Sequence, residues 1–112
     1  MKIALPIVNG KLSLHFGHCQ SFALVEADKN SREIKETEYT QPPPHEPGVL
    51  PKWLHDLGAE LIIAGGMGQR AQKLFNDNNI EVIVGAESDT PENVVKEYLN
   101  NTLTTGSNLC DH

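Results

Sequence analysis

Aromatic residues are scarce in this chain: three Phe, two Tyr and one Trp among 112 residues. Its core must therefore be built mainly from aliphatic side chains. Cysteine is scarcer still, with Cys19 and Cys110 alone. Two cysteines at this spacing do not make a disulfide framework, and in a reducing compartment they are expected as free thiols or metal ligands. No apolar run approaches the roughly 18 residues that a membrane span needs. The opening Met1-Lys2-Ile3-Ala4-Leu5-Pro6 is too short in its apolar stretch to read as a signal peptide, so a cytoplasmic protein is expected. Positive charge is also short, with 9 Lys and Arg against 15 Asp and Glu and a net charge of −6. Phosphate backbones and anionic membrane surfaces would repel such a chain, so neither nucleic acid nor membrane is an expected partner. A Walker A lysine, a nucleophile elbow, a Ser-His-Asp set and an arguable pair of catalytic carboxylates are all missing. Nothing demands an enzyme.

What is present fits one domain, which commonly takes about 100–150 residues. Lys2–Val8 is a short apolar run bounded by turn residues and reads as a buried strand, with Asn9-Gly10 as the turn after it. Ser21–Asp28 reads as a second strand. Glu33–Thr40, with strict polar alternation, reads as a third, more exposed strand at a sheet edge. Together these three form an antiparallel meander. After the stiff loop Gln41–Gly48, Val49, Leu50, Trp53, Leu54 and Leu57 share one helical face; Pro51 is tolerable in the first turn and Gly58 closes the helix. The pattern then becomes strand–helix–strand–helix. Glu60–Ala64 and Ile80–Val84 are the strands, Gln69–Asp77 the first helix and Pro91–Asn100 the second, the last opened by Thr90 and Pro91. The predicted fold is a three-layer α/β sandwich on a mixed sheet of about five strands, with a C-terminal βαβα half. Residues 1–100 form the domain, and 101–112 form a polar tail with no packing signal.

Three clusters carry metal-ligating side chains. His15-Phe16-Gly17-His18-Cys19 places two imidazoles and a thiol within five residues of the loop after the first strand. These are the donors that borderline and soft metals prefer, although the spacing matches no closed zinc motif. Cys110-Asp111-His112 ends the chain. His45 stands in the proline-rich loop, where the restricted backbone would lower the entropy lost on binding. These clusters hold both cysteines and four of the five histidines. The fifth, His55, lies off the apolar stripe of its helix and is assigned no role. The bland alternatives are a solvated loop with a buried small Cys, a silent tail and a loop histidine.

Gly65-Gly66-Met67-Gly68, between a buried strand and a helix, is a different kind of feature. Glycines at a helix N-terminus expose N–H groups and build an anion site, helped by the helix dipole and here by Arg70. The simplest alternative is a tight strand-to-helix turn. Gly66 to Ala71 also spells G-x-G-x-x-A, with Glu87 19 residues after Gly68, which is the dinucleotide fingerprint in outline. A nucleotide- or phosphate-binding domain using Gly65–Gly68 is thus the rival function. It is weakened because a full dinucleotide fold needs more strands than this chain supplies.

At His15-Phe16-Gly17, Pro44-His45-Glu46-Pro47-Gly48, Gly65-Gly66-Met67-Gly68 and Cys110-x-His112, taken in order over nearly the whole chain, the sequence resembles the dinitrogenase iron–molybdenum cofactor-binding family. That family includes NifX-type accessory proteins and the C-terminal domain of NifB-type proteins; this chain looks closest to its small stand-alone members. The resemblance implies a ribonuclease-H-like α/β fold without ribonuclease activity. It also implies a carrier role, accessory to metallocluster assembly. The expected cargo is an iron–molybdenum-type or other iron– or molybdenum–sulfur cluster, or a single transition-metal ion. Cluster donor or acceptor proteins are the expected partners.

Overall fold

The structure is a computed structural model that describes residues 1–13, 20–43 and 48–106. The described chain runs β1 (Lys2–Val8), β2 (Lys11–Leu12), β3 (Ser21–Asp28), β4 (Glu33–Thr40), α1 (Val49–Asp56), β5 (Leu61–Ile63), α2 (Gln69–Asp77), β6 (Glu81–Ile83) and α3 (Pro91–Leu99). The main strands lie in the order β4-β3-β1-β5-β6, with β2 added to β1. β3 is antiparallel to both β1 and β4, while β1, β5 and β6 are mutually parallel. The expected meander and βαβ half are both present. The sheet has six strands rather than about five, because β2 pairs Leu12 with Ile7 and Lys11 with Val8 across the Asn9-Gly10 turn. Both turn residues have left-handed backbone, φ 54° and 78°, which is the conformation Asn-Gly favours in tight hairpins.

β4, being antiparallel to β3, runs in the same direction as β1, β5 and β6. The connections β4-α1-β5 and β5-α2-β6 both advance the same way across the sheet. Right-handed crossovers therefore bring α1 and α2 to one face, and α3 covers the other. Strand alternation feeds both layers. Ile3, Leu5, Ile7, Ala23, Val25, Leu61 and Ile63 pack with Val94, Val95 and Leu99 of α3. Ala4, Phe22, Leu24 and Ile62 pack with Leu50, Leu54 and Phe75 of α1 and α2. Phe22 meets Trp53 edge to face at 5.8 Å, so the single Trp seals α1 to the sheet, a geometry aromatic pairs prefer.

The helix ends follow their local chemistry. Gly58, at φ 93°, follows α1 in left-handed backbone and returns its N–H to the His55 carbonyl, as helix-terminating glycines do. Thr90 caps α3 by accepting from Asn93 N at 3.3 Å.

Residues 101–106 are exposed apart from the half-buried Leu103, and three contacts attach them to the domain. Leu103 lies against the α3-side core, Thr105 bridges Ala86, and Gly106 N donates to Gly85 O at 2.7 Å.

Candidate functional site

Ligands of α/β sheets gather beyond the carboxyl ends of the parallel strands, and here those ends are joined by backbone hydrogen bonds. After β5, Ala64 N donates to Ile83 O at 2.9 Å and Gly85 N donates to Gly65 O at 2.9 Å. The turn at Gly65 is thereby stitched to the end of β6. On its other side, Gly65 N donates to Ser13 O at 3.3 Å, and Ser13 N donates to Pro6 O at 2.8 Å. Ser13 is only 5% exposed. The exit of β1, the glycine turn and the exit of β6 thus form one continuous backbone shelf.

Gly65, Gly66 and Met67 are buried, Gly68 is half-buried and Arg70 is exposed on the first turn of α2. Met67 is fully buried and packs in the α1/α2 layer with Ala64 and Phe75. Its side chain serves the core. Gln72 fixes that backbone, donating from Nε2 to Met67 O at 2.8 Å. Gly68 is the N-cap of α2 in extended backbone, φ −65° and ψ 155°, and gives α2 no side-chain cap. The first N–H groups of a helix have no intrahelical acceptor, and an anion placed there is favoured by the dipole.

The loop after β6 supports the same shelf from the α3 side. Leu12 N donates to Asp89 O at 2.8 Å, and Ser88 Oγ donates to Leu12 O at 2.9 Å. Asp89 Oδ1 accepts from Thr90 N at 2.7 Å and Asn93 Nδ2 at 3.2 Å. The Thr90 N–H, helped by the Asn93 amide, holds the Asp89 carboxyl below its ordinary pKa of 3.8. Glu87 is exposed and lines a cleft of about 300 Å³ with Ser88, Asp89, Val94, Glu97, Leu103 and Thr104. That cleft borders α3, whereas the glycine turn leads into α2 on the opposite face.

His15, His18, Cys19, His45, Cys110 and His112 lie outside the described residues. The described residues next to them converge. Ser13 precedes the first cluster and bonds the glycine turn. Gln20 follows it and donates its N–H to Ile7 O at 2.8 Å, at the end of β1. Thr40, the end of β4, pairs with Phe22, which pairs with Pro6, so the loop carrying His45 leaves from the same end of the sheet. Gly106, the last described residue before the Cys110 cluster, is bonded to Gly85. Among the described residues themselves, no group of three or more His, Cys, Asp or Glu is arranged to hold a metal ion. No helix there is long and apolar enough to cross a membrane.

Several residues of the shelf escaped the sequence reading. Ser13, Ser88 and Gln72 act through single hydrogen bonds and carry no motif. Gly85 had a signal, a lone glycine just past a buried strand. Its φ is 84°, and a Cβ there would stand 2.2 Å from Gly106 O.

A protein-family model described as dinitrogenase iron-molybdenum cofactor matches residues 1–101. An uncharacterized protein of Methanocaldococcus jannaschii is 33% identical over 108 residues, covering 92% of this chain and 89% of the relative. The crystal structure of PH0822 superposes with a TM-score of 0.84 at 29% identity, covering 94% of each chain. A second Methanocaldococcus jannaschii protein, mj0327, shares the fold with a TM-score of 0.72 at 24% identity over 96% of each chain. With the family model spanning nearly all of the described fold, the chain belongs to the dinitrogenase iron-molybdenum cofactor family.

Proposed function

We propose that this protein is a non-catalytic carrier for a metal–sulfur cluster of the iron–molybdenum type, held at the carboxyl end of β1, β5 and β6. In this proposal His15, His18, Cys19, His45, Cys110 and His112 supply the imidazole and thiolate ligands. The backbone N–H groups of the glycine turn beyond Gly65, with Arg70, would meet the negative charge that thiolate and sulfide bring to such a cluster, while the Gly65 N–H is held by Ser13 O. The donor set fits the cargo, because thiolate and imidazole are the ligands that iron and other soft or borderline metals prefer.

The observation that carries the proposal is the Gly65 N to Ser13 O hydrogen bond. It brings the glycine turn against the last described residue before the His15–Cys19 cluster. The bond between Gly106 and Gly85 adds the start of the Cys110–His112 segment to the same end. As a carrier the protein would receive cargo from one metallocluster-assembly protein and pass it to another within the cytoplasm.

Anaerobic titration with iron, sulfide and molybdate, followed by visible absorption and metal analysis, tests this. The expected result is a charge-transfer spectrum with bound metal and sulfide in fixed ratio. Replacing Cys19 and Cys110 together by Ser should weaken binding on the order of 10–100-fold and leave the far-ultraviolet circular dichroism unchanged; His55→Ala should do neither. Metal bound without sulfide would point to a single transition-metal ion. Undiminished binding in the double Cys variant would remove the thiolates from the site.

A further inference from the structure

β4 closes one side of the sheet, and among the described residues nothing pairs with its outer edge. Natural sheets blunt such edges with bulges and lysines. Both devices occur here, but only at the start of the strand. The β3–β4 register shifts between Glu26 and Ala27, and Lys35 stands 3.9 Å from Asp28. Glu36–Thr40 has neither device and pairs regularly with Phe22–Glu26.

The side chains on this stretch are unusual. Glu36 lies directly opposite Glu26, and Glu38 is the next residue on the same face, opposite Leu24. Like charges directly across a ladder are destabilising. Glu26 is offset by the Met1 amino group at 3.4 Å, whereas Glu36 and Glu38 form no ion pair among the described residues. With Lys2 and Leu24 these three glutamates bound a shallow groove of about 190 Å³. On the opposite face of the same stretch stands Tyr39, 52% exposed and the one large hydrophobic exposed among the described residues. Exposed aromatics of this kind anchor interfaces.

We propose that the outer edge of β4 over Glu36–Thr40 docks an extended, lysine- or arginine-rich segment of a partner protein, which adds to the sheet as a further strand. Backbone pairing supplies affinity and alternate side chains supply selectivity. A second copy of this chain is a poor occupant. Antiparallel pairing of two β4 strands centred on Thr37 sets Glu36 of each copy against Glu38 of the other, doubling a repulsion the strand already carries. Basic side chains at alternate positions instead meet Glu36 and Glu38 and relieve it. The docked strand would pass Thr40 and lie about 19 Å from β5, at four strand spacings. The edge and its partner stand independently of the cargo.

The test uses the full isotope-labelled chain and two eight-residue probes, alternating lysine–valine and alternating glutamate–valine. At low salt the lysine probe should slow amide exchange across Glu36–Thr40. The Glu36→Lys, Glu38→Lys double variant, altered only at exposed positions, should lose affinity for the lysine probe by on the order of tenfold or more. That variant should gain binding of the glutamate probe, a charge reversal that mere loss of folding would not produce. Lysine-probe binding without β4 protection would mark plain charge attraction and overturn the proposal. So would unchanged binding to the double variant, protection mapping to the Glu87–Glu97 cleft, or dimerisation of the free chain through β4 in sedimentation equilibrium.

Discussion

Single residues set the shape of the shelf, and Gly85 sets most of it. Its backbone joins three segments at once, with its N–H on Gly65 O and its own carbonyl accepting from Gly106 N. At φ 84° a Cβ is strained by itself, on the order of 1–2 kcal/mol, and here it would also strike Gly106 O. Gly85→Ala is expected to lower stability by about 1–3 kcal/mol in urea unfolding, with exchange at the Gly106 amide accelerating more than exchange at the centre of β1. A uniform loss would show that residues 101–106 are not held by this contact. Asp89 acts through charge. Because its pKa is held down in the folded chain, chiefly by the Thr90 N–H, its stabilising effect is present above the unfolded value near 3.8 and disappears as pH falls through the lower folded value. Asp28 behaves the same way through the N–H groups of Asn30 and Ser31. Urea titrations of wild type and Asp89→Asn should therefore differ most at pH 6–7 and converge near pH 2–3. A gap that does not depend on pH would assign Asp89 a packing role alone.

At the scale of elements, periodicity and turn chemistry made most of the fold legible. The strands Lys2–Val8, Ser21–Asp28 and Glu33–Thr40 and the helix Gln69–Asp77 begin and end where the residue pattern places them. The other expected elements are shorter by one residue at one or both ends, as fraying ends allow. β2 was not legible because Lys11–Leu12 is two residues long, too short a run to show an alternation. The contacts of residues 101–106 were not legible for another reason. Their anchors are the Gly106 N–H on Gly85 O and the bridge between Thr105 and Ala86, which leave no mark on side-chain pattern, and Leu103 is a single apolar residue among polar neighbours. Leu103→Asp places a charge against the α3-side core and should free this segment. The expected result is fast exchange at Thr105 and Gly106 with α3 itself still protected; retained slow exchange would mean that the backbone bonds suffice. The α3 cap is a smaller matter. Its 3.3 Å length puts Thr90→Ala near the lower end of the usual cost, about 0.5–1 kcal/mol, readable as a small shift in the urea midpoint.

At the scale of the molecule, the shared end of the parallel strands was legible before the contacts there were. The exits of neighbouring parallel strands must share an end of the sheet, and Ser13 and Gly65 meet there. The supporting bonds from Ser88, Gln72 and Gly106 could not be foreseen, since each depends on how distant segments dock. One consequence concerns the whole chain. A carrier whose donors come from separate segments binds cargo only when folded, so cargo should stabilise it by mass action. At free cargo 100-fold above Kd the gain is about 2.7 kcal/mol, which for a domain of this size raises Tm by roughly 10 °C. If replacing Cys19 and Cys110 by Ser weakens binding tenfold, the gain at the same cargo concentration falls to about 1.4 kcal/mol, about half the shift. The effect should also fade as pH drops into the histidine range, because protons compete for imidazole and thiolate donors. Anaerobic thermal unfolding, with and without iron, sulfide and molybdate, reads this directly. No shift in wild type at saturating cargo would mean that the unfolded chain binds as well as the folded one, and that the convergence of Ser13, Gly65 and Gly106 does not build a carrier site.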